Sequence, residues 1–429
     1  MSYRRLGLSL SVATAMVAAL AAPASADAIP MIDDSDLMAS TTTVGGVGGA
    51  PSLDTTDTVA HWFGQTANPH DGLTYGYNMV GADPNSCSGS ACDVTVQADL
   101  VPLVVNVGGM TFSGNDVMAA TLNSPVFATN DYGSTPKATY GLPFIPRGPG
   151  GELSAGDAGL QLQLEDATMR AQFNQTGTSS YHLRLDPQVQ PAETIDVPSN
   201  HGHLAQSARG VVFAIVDVHW WATRIQNLQV KADPTHLPIY TTDKILLNDG
   251  TRCCVVGFHG AGTVPGHTNG SGHGNGKQPV QTFAWATYLT PGIYARNNGS
   301  AVWAVQDIQP LSHEISEWAD DPFDNNWVEP WVTPTAPQNG CTGVMETGDP
   351  VVGIGFAMGG NSYFQGANPN GTHSADGYYH PEDEVLLPWF MRTANPSSEP
   401  VQGGGTSGRY TLMGNLNRFA GFGTVATGC

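Results

Sequence analysis

Charged residues are scarce in this sequence, and basic residues are the scarcest of them. Only 12% of the 429 residues are charged, about half the usual share. The chain has 16 Lys and Arg against 37 Asp and Glu, which gives a formal net charge of −21. Proteins that bind nucleic acids need a basic surface, so this composition argues against a nucleic-acid partner. The same deficit disfavours binding to an anionic membrane surface.

Long apolar runs are also lacking, because no stretch after the N-terminal region reaches 18 apolar residues. The first 26 residues have the pattern of a signal peptide: Arg4 and Arg5, an apolar stretch over 6–22, and an A-x-A sequence that ends at Ala26. A membrane anchor is the alternative, but the stretch is shorter than a typical span and no stop-transfer charges follow it. We therefore predict a secreted, extracellular protein with no membrane span after cleavage.

Gly and Pro are abundant, with 52 and 30 residues, and hydrophobic residues make up 40% of the chain. A disordered polyelectrolyte would carry more charge and fewer aromatic residues, so we expect a loop-rich globular protein. Residues 27–58 are rich in Ser, Thr, Gly and Asp and predict a flexible N-terminal segment. Residues 59–429 then form the folded domain, and two subdomains that meet near residue 200 remain an open alternative.

The cysteines are even in number, and no C-x-x-C pattern typical of a zinc knuckle occurs. In an exported protein this favours structural disulfides. Cys87 and Cys92 are close enough in sequence to form a local loop bridge. The adjacent Cys253 and Cys254 are expected to pair elsewhere, for example with the remaining two cysteines, which are Cys341 and Cys429.

Hydrophobic patterning predicts more strands than helices, and the helices are separated from the strands along the chain. This arrangement indicates an α+β fold with a mixed sheet. The predicted strands are 94–107, 210–218, 237–247, 253–258 and 281–289. The predicted helices are 160–175, 301–319 and 381–393, the last with Pro381 in its first turn.

The motif with the clearest chemistry is the sequence His313-Glu314-Ile315-Ser316-Glu317. On a helix, His313 and Glu317 are four residues apart and share one face, where both can bind the same cation. Glu314 is rotated by about 100° and can lean towards an open metal position. This is the H-E-x-x-H arrangement of zinc hydrolases with Glu in place of the second His. Glu314 would then be the general base.

A solvated acidic helix face is the alternative for this motif, but its context argues otherwise. Apolar residues flank the motif on both sides, which predicts a half-buried helix, and a buried helix seldom carries His and two Glu without partners. Glu346 and Asp349 follow in a turn sequence and are candidates for the third ligand. Ordinary turn chemistry explains these two residues equally well. His259, after an apparent strand, either packs at the strand end, the more common role, or lines the site.

Together these segments resemble the secreted phosphate-induced, EXORDIUM-like proteins of plant cell walls and their bacterial relatives. The resemblance covers roughly residues 254–390 and rests on the order of short motifs. They are Gly257-Phe258-His259, Ala284-Trp285, the motif from His313 to Glu317, Asp321-Pro322, Asn325-Asn326-Trp327 and Glu346-Thr347-Gly348-Asp349. The chain departs from the pattern at Pro350, where relatives often have an apolar residue and then Cys. The resemblance implies an exported protein with a zincin-like helix, and it implies no particular reaction.

These observations predict a secreted zinc-dependent metallopeptidase that hydrolyses a peptide or protein substrate. Zinc would be bound by His313 and Glu317 with Asp349 or Glu346. The first alternative is a non-catalytic extracellular or cell-wall binding protein, in which the cluster is a structural metal site or a hydrogen-bond network. The second alternative is a carbohydrate-active wall protein that uses aromatic platforms.

Export is the first testable prediction. The secreted protein should lack residues 1–26 and contain few free thiols, because an oxidising compartment favours cysteine pairing. Intact mass of the secreted protein, measured with and without reductant and alkylation, checks both points. A mass that still includes residues 1–26 contradicts export, and six alkylatable thiols in the native protein contradict the disulfides.

Overall fold

The computed structural model describes residues 57–132, 160–173, 175, 179–207, 209–248, 250, 253–263, 279–294, 305–333, 341–361, 377–393 and 411–412. The predicted signal peptide, and all but the last two residues of the predicted flexible segment, lie outside these ranges. No helix within the described ranges is long and apolar enough to cross a membrane.

Strands outnumber helices along the described chain, which confirms the predicted α+β class. The strands are β1 (His61–Ala67), β2 (Thr74–Val80), β3 (Asp93–Val107), β4 (Met110–Ser113), β5 (Asn130–Asp131), β6 (Gln161–Leu162), β7 (His182–Val189), β8 (Glu193–Asp196), β9 (Gly202–Gln206), β10 (Val212–Asp217), β11 (Leu237–Asp243), β12 (Ile245–Asn248), β13 (Cys253–Val255), β14 (Gly257–Thr263), β15 (Val280–Tyr288), β16 (Trp327–Val332), β17 (Cys341–Val344), β18 (Met358–Gly360) and β19 (Tyr378–Tyr379). The helices are α1 (Asn115–Leu122), α2 (Leu164–Gln172), α3 (Val218–Gln229), α4 (Gln309–Asp320) and α5 (Leu387–Phe390).

The largest sheet is mixed, as predicted, and its main path runs β14-β15-β11-β3-β4. β11 is parallel to both β15 and β3, whereas β14 is antiparallel to β15. The long strand β3 also pairs in parallel with β7 along its first half and with β8 near its end. β11 and β15 are buried almost throughout, as expected for parallel strands that are covered on both faces.

Two large apolar clusters involve this sheet. One includes Leu100, Ile239 and Ala284 and packs with Ile315 and Trp318 of α4. The other includes Tyr240 and Trp285 and packs with α3 and with the four-stranded sheet β13-β12-β10-β9. Because side chains alternate along a strand, β11 and β15 supply residues to both clusters. Helix α4 lies against β14 and β15, which fixes the position of the His-Glu motif.

Lys244 divides the strand predicted over 237–247 into two strands of different sheets. Its φ angle of 58° lies in the left-handed region, so the chain turns there. β11 enters the large sheet and β12 enters the four-stranded sheet. The polar run Thr241-Thr242-Asp243-Lys244 interrupts the apolar pattern at this turn, but Thr241, Thr242 and Asp243 are buried in β11, so the run ends one strand and is not an exposed loop.

The predicted helix over 301–319 begins later than expected, at Gln309. Asp307 has a φ angle of 44° and forms an isolated bridge with Leu289, so the helix cannot extend back through it. Pro310 then lies in the first turn of α4, where its missing N–H costs nothing. Residues 301–304 lie outside the described part of the chain.

The predicted helix over 381–393 is wrong except for one short turn, α5, which has Pro388 in its first turn. In the residues before α5, backbone N–H groups form hydrogen bonds with distant segments and not with the preceding turn of a helix. The backbone N–H of Glu382 donates to Ser312 Oγ at 2.9 Å, and that of Val385 donates to the Thr347 carbonyl at 2.9 Å. This buried segment contacts α4 through Glu382, which contributes its side chain to the candidate site.

The structure pairs Cys87 with Cys92, which confirms the predicted local bridge. It also pairs Cys253 with Cys254, so the prediction that these two reach other cysteines is wrong. The expectation rested on the two cysteines being adjacent in sequence, but their Cα atoms lie 3.0 Å apart and the structure joins them to each other. Cys341 is disulfide-bonded as well, and Cys429 lies outside the described residues.

Asp321 at the end of α4 holds the loop that follows the helix. Its fully buried carboxylate accepts hydrogen bonds from the backbone N–H groups of Asn325 and Asn326, each at 2.9 Å. Asp321→Ala should lower the free energy of unfolding by about 2–4 kcal/mol, because it leaves a buried donor, the Asn326 N–H, and a half-buried donor, the Asn325 N–H, without their acceptor. Urea denaturation measures this loss. The control, Asp186→Ala on an exposed part of β7, should change stability by less than about 0.5 kcal/mol. Equal effects of the two substitutions would contradict the role of Asp321.

Candidate functional site

The motif residues His313, Glu314 and Glu317 lie on helix α4, which is almost completely buried. Apolar packing by Leu311, Ile315 and Trp318 holds one side of the helix. The Trp318 indole N–H also donates to Thr282 of β15 at 3.0 Å. His313 and Glu317 therefore project together from one face, as the four-residue spacing predicts.

His313, Glu317 and Asp349 form the more open half of the site. His313 Nε2 lies 3.1 Å from Glu317 Oε1 and 3.8 Å from Asp349 Oδ1. The candidate ligand atoms of the three residues all lie within 4.8 Å of one another. The Asp349 side chain is 42% exposed and that of His313 is 12% exposed, so this half faces solvent through Asp349.

The turn that carries Asp349 is fastened to the helix by Glu317. Glu317 Oε1 accepts hydrogen bonds from the backbone N–H groups of Gly348 at 3.1 Å and Asp349 at 3.2 Å. Ser316 and Thr347 add a hydroxyl–hydroxyl hydrogen bond at 2.7 Å. Gly348 is required because a Cβ atom there would overlap the His313 ring. Turn chemistry and a ligand role for Asp349 are therefore compatible.

Glu382 supports His313 from the side away from Glu317. Its Oε2 lies 3.3 Å from His313 Nδ1 and also accepts from Gln309, while Oε1 accepts from the Gly353 N–H at 3.0 Å. A carboxylate on one imidazole nitrogen orients the other nitrogen towards a metal. The sequence analysis does not identify Glu382, because the acidic run 382–384 lies within the predicted helix 381–393 and shows no ligand spacing.

His259 of β14 and Glu314 form the closed half of the site. His259 Nδ1 lies 3.5 Å from Glu314 Oε2 and 3.6 Å from Glu317 Oε2, and the side chains of all three residues are at most 5% exposed. The ligand atoms of these three residues also lie within 4.8 Å of one another. Gly257 makes room for this arrangement, since a Cβ atom there would overlap the Glu314 carboxylate.

Burial and neighbouring charges set the protonation of the four groups on α4 and β14. Burial raises the pKa of Glu314 to about 7, against the influence of His259 and His313. Burial also opposes ionisation of Glu317, but His313, His259 and the Gly348 N–H outweigh it and hold its pKa below the usual value. Burial alone would lower the pKa of His259, but Glu314 and Glu317 raise it to about 9. The pKa of His313 is raised by Glu317 and Glu382 in spite of burial.

The structure brings four of the five predicted site residues together, and adds His259. Glu346 is buried, but it belongs to neither of the two ligand groupings found among the described residues. Asp349 belongs to one of them, so of the two turn residues it is the better candidate ligand. The sequence favours a packed strand-end role for His259, and its contact with α4 depends on how β14 lies against the helix.

The donor set fits a divalent cation. Imidazole nitrogen and carboxylate oxygen are ligands that zinc accepts, and three such ligands leave one position open. Both ring nitrogens of His259 and Oε2 of Glu314 are buried without a hydrogen-bond partner. Buried polar atoms normally have a hydrogen-bond partner, so these unpaired atoms are consistent with a ligand that the polypeptide does not supply.

Comparison with known proteins finds no matching family model, no matching curated sequence and no matching solved structure. The resemblance to the EXORDIUM-like family therefore stays a prediction that rests on the quoted motifs.

Glu317 takes part in both halves of the site, so its removal should abolish cation binding. A bound ion stabilises the native state by about 4 kcal/mol when its free concentration is a thousand times its Kd. Chelator should therefore lower the Tm of the wild type and leave the Tm of Glu317→Ala unchanged. Comparing each protein with and without chelator removes any direct effect of the substitution on folding.

The control is Glu193→Ala, which alters an exposed carboxylate paired with Lys231. It should retain the full chelator response of the wild type. A wild type whose Tm does not respond to chelator, and which contains no metal by elemental analysis, would instead indicate a hydrogen-bond network.

Proposed function

We propose that this protein is a secreted metal-dependent hydrolase of the peptidase type. The observation that supports this most directly is the convergence of His313 Nε2, Glu317 Oε1 and Asp349 Oδ1 on the more exposed side of a buried helix. Three ligands with an open side are typical of catalytic zinc sites, whereas structural zinc sites usually have four protein ligands.

The chain's own residues have distinct tasks in this proposal. His313, Glu317 and Asp349 would hold the ion, and Glu382 would keep His313 Nδ1 hydrogen-bonded so that Nε2 faces it. A zinc ion there would supply Lewis acidity and lower the pKa of the attacking water. Glu314 would accept the proton of that water at its carboxylate.

The ionisation of Glu314 suits a proton acceptor at neutral pH. In the ion-free site burial raises its pKa to about 7, and a cation bound beside it would lower that pKa, so the carboxylate would be ionised at neutral pH and able to accept a proton. Burial, the largest cause of this shift, also keeps bulk water away from the carboxylate. The acceptor would therefore act in a dry pocket at the side of the ion.

A non-catalytic binding protein is the second candidate, and one observation favours it. The Glu314 side chain is 5% exposed and lies against Gly257 and His259, so it points into the closed half of the site. If Glu314 stays there, the cluster is a structural metal site on an extracellular or cell-wall protein. The two candidates differ in what Glu314 does.

Glu314→Gln separates them, because Gln has nearly the same shape but cannot accept a proton. In a hydrolase the variant should keep the ion at His313 and lose about 10²–10⁴-fold in turnover. The measurement is cleavage of an unbiased peptide library by both proteins, with zinc content determined on the same samples. Glu193→Gln, at an exposed carboxylate, should cleave at the wild-type rate.

Two outcomes would contradict the catalytic role. Wild-type turnover by a zinc-loaded Glu314→Gln protein would rule out Glu314 as the base. A zinc-loaded, correctly processed wild type that cleaves neither peptides nor wall polysaccharides would favour the binding protein.

A further inference from the structure

We propose a second divalent-cation position, formed by His259, Glu314 and Glu317, whose occupation inhibits the hydrolase. It shares Glu317 with the first position, and the inhibitory part rests on the proposed function. The ligand is a small borderline cation such as Zn²⁺, because the donors are one imidazole and two carboxylates.

The spacing of the donors fits a cation better than a direct hydrogen bond. Two ligands at about 2.1 Å from a tetrahedral zinc ion lie about 3.4 Å apart. His259 Nδ1 lies 3.5 Å from Glu314 Oε2 and 3.6 Å from Glu317 Oε2. A charged hydrogen bond between imidazole and carboxylate would be shorter, at about 2.7–2.9 Å. Both ring nitrogens of His259 and Glu314 Oε2 have no other hydrogen-bond partner.

Glu317 is oriented to bridge the two positions. Its Oε1 lies towards His313, and its Oε2 lies towards His259. One carboxylate can therefore contribute an oxygen to each cation, as in two-metal sites. The backbone N–H groups of Gly348 and Asp349 donate hydrogen bonds to Oε1 and hold the carboxylate in this orientation.

The charges of the cluster also match two cations. Metal binding requires neutral imidazoles and ionised carboxylates, and in that state Glu314, Glu317, Asp349 and Glu382 carry four negative charges, which two divalent ions balance. In the described part of the chain, no Lys or Arg forms a salt bridge with Glu314, Glu317 or Glu382. Buried carboxylates need a counter-charge, and among the described residues only histidine supplies one to these three.

A second cation would occupy the carboxylate that the reaction needs. Glu314 bound to a cation through Oε2 no longer accepts a proton there, so hydrolysis should fall when the second position fills. The closed half is at most 5% exposed, whereas Asp349 is 42% exposed. The first position is therefore the more accessible one, and we expect it to fill first.

Zinc stoichiometry of the full secreted chain tests the inference without relying on activity. Equilibrium dialysis against Zn²⁺ should give two ions for the wild type and one for His259→Gln. Glu314→Gln is a second, nearly isosteric variant that should also bind one ion, so misfolding of His259→Gln does not remove the test. His313→Ala should bind one, and Glu317→Ala none.

His236→Gln is the matched control, because His236 Nδ1 also contacts a carboxylate, that of Asp99 at 3.0 Å, but belongs to neither grouping. It should bind as many ions as the wild type. Zinc bound at surface histidines adds the same amount to every protein, so the differences in stoichiometry between variants do not contain it. Where cleavage is measured, wild-type turnover should drop at the zinc concentration that fills the second position.

The possible failures are distinguishable. One ion in the wild type, one in His259→Gln and none in His313→Ala overturns the second position and leaves the proposed function standing. One ion in the wild type, one in His313→Ala and none in His259→Gln supports the buried position and overturns the proposed catalytic one. No ion in any protein overturns both. Two ions without loss of turnover overturns the inhibitory role.

Discussion

The ionised carboxylate of Glu317 inside the protein is the constraint on which the site depends. A buried carboxylate is costly unless several partners stabilise its charge, and Glu317 has them on three sides. His313 contacts one oxygen, His259 lies near the other, and the Gly348 and Asp349 N–H groups donate to Oε1. Moving any of these elements would expose an unpaired charge, so α4, β14 and the 346–349 turn hold each other in place.

Apolar packing makes this arrangement possible, because it fixes the position of α4 without any contribution from the polar contacts. Leu311, Ile315 and Trp318 pack on the large sheet, and full burial of each such side chain contributes about 1.5–3 kcal/mol. Since protein interiors are close-packed, the helix cannot rotate to expose His313 and Glu314 to water. The polar groups must therefore find partners where the packing puts them, and these partners come from segments distant in sequence.

This division explains what the sequence could predict. The shared face of His313 and Glu317, the strand 281–289 and the long strand 94–107 follow from local spacing, which helix and strand geometry fix. The contacts of His259 and Glu382 depend on tertiary packing across tens of residues, so no local period signals them. The start of α4 was mispredicted for another reason, since the positive φ of Asp307 overrode the apolar pattern. Pro310 was the one sequence signal for the true start.

The other buried acids of the protein show what is special about Glu317. Burial raises the pKa of Glu165 and Glu384 well above the usual value, and that of Asp320 to about 7. Those groups lower the cost of burial by taking up a proton. Glu317 instead keeps a lowered pKa, because two imidazoles and two N–H groups favour its charge. The chain has 37 acidic and only 16 basic residues, so it has few cations of its own to place beside such a carboxylate. Histidine and a divalent ion from the medium are therefore the natural sources of positive charge, which links the composition of the chain to the chemistry proposed for its site.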